Sequence, residues 1–308
     1  MTAAAESRTR SSPLIAFAGD IKLSHSIFAL PFALLAMFLA AEARGVATQS
    51  SRLPQLGEVA LIIACMVIAR SFAMGMNRLL DAHLDAANAR TAGRAIPAGR
   101  LGVASAKRIL VACVVAFEVV ALGFFFFYDN VWPALLALPL LAVLGAYPLF
   151  KRFTRWCHFY LGLCLALAPV CAWVAIAATP DLTPWLLAAA VLCWTGGFDI
   201  IYATQDYESD RATGTFSLPA SIGIGLALWV ARLAHVVAIA LLVLLGLHSP
   251  ALDLLWFIAV AIVACVFVVE HTIVKPTDLS RVNLAFFTLN GIVALCLGIL
   301  GIAEVILF

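Results

Sequence analysis

Charge is scarce in this chain. Of its 308 residues, 12% are Asp, Glu, Lys or Arg, about half the share of an ordinary soluble domain. Neither sign dominates, with 19 Lys+Arg against 17 Asp+Glu, so global charge says nothing about partners. The eight cysteines include no C-x-x-C pair, which argues against a disulfide framework or a zinc knuckle. Cys157, Cys164 and Cys171 recur every seven residues and read as small hydrophobes on one helix face. What the chain does have is apolar surface: 64% of it falls in the set AVILMFWYC, and its mean hydropathy is +1.07. That composition excludes a disordered chain and exceeds what one soluble core can bury. The sequence is that of an integral membrane protein.

A helix crossing ~30 Å of hydrocarbon takes about 20 mainly apolar residues. Nine segments qualify, at approximately 24–43, 57–76, 103–127, 131–149, 158–178, 183–205, 221–246, 251–272 and 284–308. The expected fold class is all-α, a membrane bundle of nine transmembrane helices. Residues 1–22 carry Arg8, Arg10 and Lys22 without an apolar core of their own and read as a cytoplasmic N-terminal tail. Residues 23–308 read as a single transmembrane domain. Fifteen Lys and Arg fall in the tail and in the connections after spans 2, 4, 6 and 8, while the opposite side carries only Arg44 and Arg52. The positive-inside rule then predicts a cytoplasmic N-terminus and an external C-terminus.

Two cytoplasmic connections concentrate the acids. In the first, Asn77, Asp81 and Asp85 are four apart, so a helix turns each about 40° from the last and keeps them on one face. In the second, Asp199, Asp206 and Asp210 are spaced seven and four, a narrower stripe that begins about two turns inside the membrane. Asp81/Asp85 and Asp206/Asp210 are both offset by 125 residues. Spans 1–4 and 5–8 therefore read as two four-helix repeats plus one further helix, an arrangement that commonly puts the functional site where the halves meet. His25 before Pro31 and His158 before Pro169 follow the repeat loosely.

Carboxylates set beside hydrocarbon repel one another and resist ionisation unless a cation lies between them. Mg²⁺ takes hard oxygen ligands and typically bridges a few carboxylates to phosphate oxygens. Acidic helix ends beside Lys and Arg loops thus suit a Mg²⁺–diphosphate group; the alternative is a merely solvated cytoplasmic face. Lys151 and Arg152, directly after Tyr147-Pro148, and Arg94, after the first acidic set, could reach phosphate or a substrate carboxylate. They could equally be topology anchors. Phe72, Tyr147, Trp194, Phe198 and Tyr202 lie near the acidic stripes, and rings in a dry cavity stabilise cations through their faces. Core or lipid packing accounts for most of them, but Tyr202 sits one turn beyond Asp199.

These motifs carry a family resemblance. Asn77-x₃-Asp81-x₃-Asp85, followed by Arg90-Thr91-x₂-Arg94-x-Ile96-Pro97-x-Gly99, resembles the first signature of the UbiA superfamily of membrane prenyltransferases. Asp199-x₂-Tyr202-x₃-Asp206-x₃-Asp210 is similar to the second, and Tyr147-Pro148-x₂-Lys151-Arg152-x-Thr154 to the loop after the fourth helix. The resemblance implies a Mg²⁺-dependent enzyme that moves a polyprenyl group from its diphosphate to an aromatic acceptor inside a membrane cavity. The Arg90–Gly99 run looks most like the 4-hydroxybenzoate polyprenyltransferases of ubiquinone synthesis. His25-Ser26-x-Phe28-Ala29-Leu30-Pro31-Phe32 and Trp156-Cys157-His158 are closer to relatives such as the menaquinone prenyltransferase of the futalosine route.

On that resemblance Asn77, Asp81, Asp85, Asp206 and Asp210 are the expected metal ligands. Lys151, Arg94 and Arg152 are the expected substrate-binding residues, and Asp199 and Tyr202 the catalytic ones. The implied partners are a polyprenyl diphosphate, a small aromatic acid and membrane lipid, with no nucleic acid and no obligate protein partner. The implied location is a bacterial-type inner membrane, with the active site facing the cytoplasm. Two rivals differ in class. An ion transporter predicts acids near the bilayer midplane, and a CDP-alcohol transferase predicts an Asp-x₂-Asp-Gly-x₂-Ala-Arg signature that is not present.

Overall fold

The computed structural model describes residues 12–21, 28–179 and 181–308. Arg8, Arg10, Lys22, His25 and the first residues of span 1 lie outside these. Part of the tail is helical: α1 (Pro13–Ile21) buries Phe17, and Asp20 stands 3.6 Å from Arg78. The membrane helices of the first half are α2 (Leu30–Thr48), α3 (Leu56–Leu80), α5 (Val103–Tyr128) and α6 (Trp132–Phe150). Those of the second are α7 (Cys157–Ala177), α8 (Leu182–Ala203), α11 (Ile224–His248) and α12 (Leu254–Ile273). The last crossing, Val282–Leu307, runs through α13 (Val282–Leu284), a π-helical stretch Ala285–Leu289 and α14 (Asn290–Leu307). Among the described residues nine helical segments are long and apolar enough to span, matching the nine expected. The first begins later than expected, where Pro31 opens α2 with its ready-made helical φ. Span 6 runs on to Thr213.

Exposed side chains show that the solvent is lipid. Leu226, Trp229, Leu233 and Val236 form one outward stripe on α11, as Val111, Val115 and Val119 do on α5. The opposite faces pack into a core around Phe32, Leu35 and Met37 of α2, Leu187 of α8 and Trp256 of α12.

Neighbour relations repeat between the halves. α3 packs on α5 and α5 on α6, as α8 packs on α11 and α11 on α12. α2 meets α7 at the centre, α6 meets α7 on one side, and α14 fills between α12 and α2 on the other. At Gly162 a Cβ would fall 2.4 Å from the Leu192 carbonyl oxygen, so only glycine lets α7 and α8 approach this closely.

Each half also carries the same interruption at its acidic motif. α3 ends at Asp81 (φ −91°, ψ 2°) and gives way to α4 (Ala82–Ala87). α8 passes through a 3₁₀ turn, Thr204–Asp206, and Asp206 (φ −97°, ψ 9°) opens α9 (Tyr207–Thr213). The single helical faces expected for both motifs are thus bent, at Asp81 in the first and at Asp206 in the second. A short helix, α10 (Leu218–Ile222), then leads into α11.

Candidate active site

One cavity of about 200 Å³ is lined by Asn77, Asp81, Asp85, Asn88, Arg90, Arg94, Tyr147, Lys151, His158, Asp199, Tyr202, Asp206 and Asp210, among others. The two acidic motifs and most of the expected cations thus share one chamber. Arg152 is the exception: it does not line the cavity, and its exposed guanidinium donates to the Leu80 carbonyl at 2.6 Å, holding the end of α3. Of the three expected substrate-binding cations it is the one outside the cavity lining, in a helix-end contact.

Asp81 and Asp85 are buried, and each has one oxygen on a cation. The Lys151 ammonium donates to Asp81 Oδ2, and Arg94 Nη1 to Asp85 Oδ1 at 2.6 Å. Their other oxygens, Asp81 Oδ1 and Asp85 Oδ2, are buried without a hydrogen-bond partner. Buried acceptors left in this way are rare and need a reason. Burial raises the Asp81 carboxyl above its ordinary value, with Lys151 pulling it back down.

A basic residue links the halves. Arg90 forks onto Asp206 with contacts of 2.6 and 3.2 Å, and Asn88 Nδ2 donates to the same carboxylate at 3.2 Å. Arg90 Nη1 also donates to the Tyr202 hydroxyl at 3.3 Å, with the guanidinium 5.6 Å from that ring's centre. Burial opposes the Arg90 charge, but the Asp206 carboxylate leaves its pKa above the ordinary value.

At the inner wall, His158 Nε2 accepts the Leu218 backbone N–H at 3.1 Å. The neutral ring therefore carries its proton on Nδ1 and donates it to Asp199 Oδ2 at 2.7 Å. Tyr202, Phe286, Phe198, Phe28 and Trp194 continue as a row of touching rings into the membrane, the Tyr202 and Phe286 centres 4.0 Å apart. Phe72 belongs to a different core, with Leu110 and Leu141.

Arg90 and His158 were not among the expected site residues. Arg90 lay inside the quoted motif, and His158 followed the basic loop directly. Their partners lie 116 and 41 residues away, a separation that no local spacing encodes.

A family model described as the UbiA prenyltransferase family matches residues 29–292. The chain belongs to that family. Among its curated relatives is a 4-hydroxybenzoate octaprenyltransferase of Chromohalobacter salexigens, 28% identical over 254 residues, which cover 82% of this chain and 80% of the relative. A solved structure of a UbiA homolog from Aeropyrum pernix K1 is 27% identical with a TM-score of 0.75, covering 93% of this chain and 98% of its own. A UbiA homolog from Archaeoglobus fulgidus bound to DMAPP and Mg²⁺ has a TM-score of 0.65 at 17% identity, covering 92% of this chain and 99% of its own, and shows the shared fold. This UbiA-family chain is thus a multi-pass membrane prenyltransferase, and its cavity is the candidate active site.

Proposed function

We propose that the chain transfers a polyprenyl group from a polyprenyl diphosphate to 4-hydroxybenzoate in ubiquinone synthesis. The reaction takes place at the cytoplasmic side of a bacterial-type inner membrane, with the N-terminus cytoplasmic. The reading rests on one observation: both acidic motifs, Lys151, Arg94 and the His158–Asp199 pair line a single cavity. The names of the curated relatives support the acceptor.

Asn77, Asp81, Asp85, Asp206 and Asp210 would hold Mg²⁺. The donor set is hard oxygen, and the two unpartnered buried carboxylate oxygens fit such an ion. When bound, Mg²⁺ supplies charge neutralisation to the departing diphosphate. Lys151 and Arg94 fix one oxygen of each first-motif carboxylate and bring positive charge to the phosphate site. Arg90 holds Asp206 and Tyr202 in place across the halves. The allylic C–O bond of the substrate breaks, a bond forms to the ring carbon ortho to the phenol oxygen, and that carbon's proton leaves. Asp199, oriented by His158, positions the phenol and accepts the proton. Tyr202 and the ring row keep water from the allylic cation, which water would convert to an alcohol.

The test incubates membranes containing the chain with radiolabelled polyprenyl diphosphate, Mg²⁺ and a panel of aromatic acids. A prenylated product with 4-hydroxybenzoate is expected. Product with a different aromatic acid alone would move the assignment to another UbiA branch, and no product with any acid would end the reading.

A further inference from the structure

Away from the acidic cavity, His235 of α11 and Glu270 and His271 of α12 bring one ligand atom each within 4.8 Å of one another. His235 Nε2 lies 3.2 Å from the Trp194 carbonyl. A carbonyl only accepts, so Nε2 carries the proton and Nδ1 presents its lone pair to the cluster. That lone pair faces His271 Nε2 at 3.0 Å and Glu270 Oε2 at 3.5 Å. Glu270 is 1% exposed, and its Oε2 has no hydrogen-bond partner.

We propose that His235, Glu270 and His271 form a second metal site, for a divalent transition ion of the zinc class. With two of the separations at 3.0 and 3.5 Å and all three donors within 4.8 Å of one another, one ion at the ~2.0–2.1 Å of Zn–N and Zn–O bonds can be shared between them. Two imidazoles and one carboxylate suit zinc, whereas magnesium prefers an all-oxygen set.

The supporting contacts are already made. Metal-bound imidazoles and carboxylates are typically fixed by outer hydrogen bonds. Here the Trp194 carbonyl holds His235, and Asn290 Nδ2 donates to Glu270 Oε1 at 3.0 Å. The Phe267 ring stacks on His235 at 4.2 Å, and Gly197 leaves room for that imidazole, since a Cβ there would fall 2.4 Å from it. His271 is half-buried, which leaves a side open for entry and for water as fourth ligand. The ion would pin α11 to α12. Through Asn290, which accepts from Trp194 Nε1 at 2.7 Å, it would also stiffen the ring row of the cavity.

The experiment loads the full-length protein in detergent with Zn²⁺, dialyses it and measures metal by mass spectrometry. A parallel Co²⁺ sample is read by visible absorption. About one zinc per chain and the absorption bands of four-coordinate cobalt are expected, both persisting in the Asp81→Asn/Asp206→Asn double variant. His271→Ala, at the half-buried ligand, should lower zinc content at least about tenfold while eluting as a single species. Glu270→Gln, which keeps the side-chain shape, provides the same reading should His271→Ala fail to fold. Wild-type protein without zinc, undiminished zinc in both ligand variants, or zinc lost in the acidic-cavity variant would each overturn the site.

Discussion

The two acidic motifs share an offset and a backbone but not an environment. Asp81 and Asp206, 125 residues apart, interrupt their helices at nearly the same φ and ψ. Yet the Asp81 side chain is 1% exposed and gripped by Lys151, whereas that of Asp206 is 20% exposed and held by the more open Arg90. The neighbouring positions differ in kind. The counterpart of Asp199 in the first half is Met74, and that of Tyr202 is Asn77. On the proposed function, the grip on charge is therefore built twice, while the His158–Asp199 pair stands on one side only. A diphosphate carries charge that two walls can share, but the acceptor ring loses one proton from one carbon.

The sharpest break between the halves should appear in stability. Lys151→Ala strands the buried Asp81 carboxylate and should cost about 3–5 kcal/mol. Arg90→Ala, which opens a more exposed pair, should cost at most about 1 kcal/mol. Chemical denaturation monitored by tryptophan fluorescence measures both, and equal losses would erase the distinction. In activity the halves should instead be alike. Asp81→Asn and Asp206→Asn should each lower prenyl transfer about 10²–10³-fold, the scale of losing one electrostatic contact to the reacting charge.

Next in size is the one-sided chemistry. Asp199→Asn should lower kcat about 10²-fold with the KM for the prenyl diphosphate unmoved. Met74→Ala, at the equivalent place, should leave both constants near wild type, and steady-state kinetics with varied diphosphate separates these outcomes. A smaller effect concerns pH. Because burial raises the Asp81 carboxyl above its ordinary 3.8, ionising it opposes folding. That contribution to stability is complete below pH 3.8 and is lost as the pH rises through the raised value. Thermal unfolding of metal-free protein should lose this slope in Asp81→Asn and keep it in Asp206→Asn. Smallest of all, Arg152→Ala should change turnover less than about two-fold, as for a surface substitution outside the site.

Much of this was legible from local pattern. The scarcity of charge announced the membrane, and four-residue spacing put Asp81 and Asp85 on one side of their segment. The 125-residue offset pointed to a site between the halves, and the cavity lies there. Local pattern missed the helical α1, because nine residues make too short a stretch to stand out from a tail. Nor could it tell Lys151 from Arg152: adjacent in sequence they look equivalent, but in the turn after α6 one reaches Asp81 and the other the Leu80 carbonyl.

Composition and periodicity by themselves determined that this chain crosses the membrane as helices and that its acids gather at two helix ends, because both follow from the solvent and from the turn angle of a helix. Only the tertiary structure decided which faces meet. The pairings of His158 with Asp199, of Arg90 with Asp206, and of His235 with Glu270 and His271 join separate elements. They are set by how closely the helices approach, as the glycines at 162 and 197 allow, and by where each helix is interrupted.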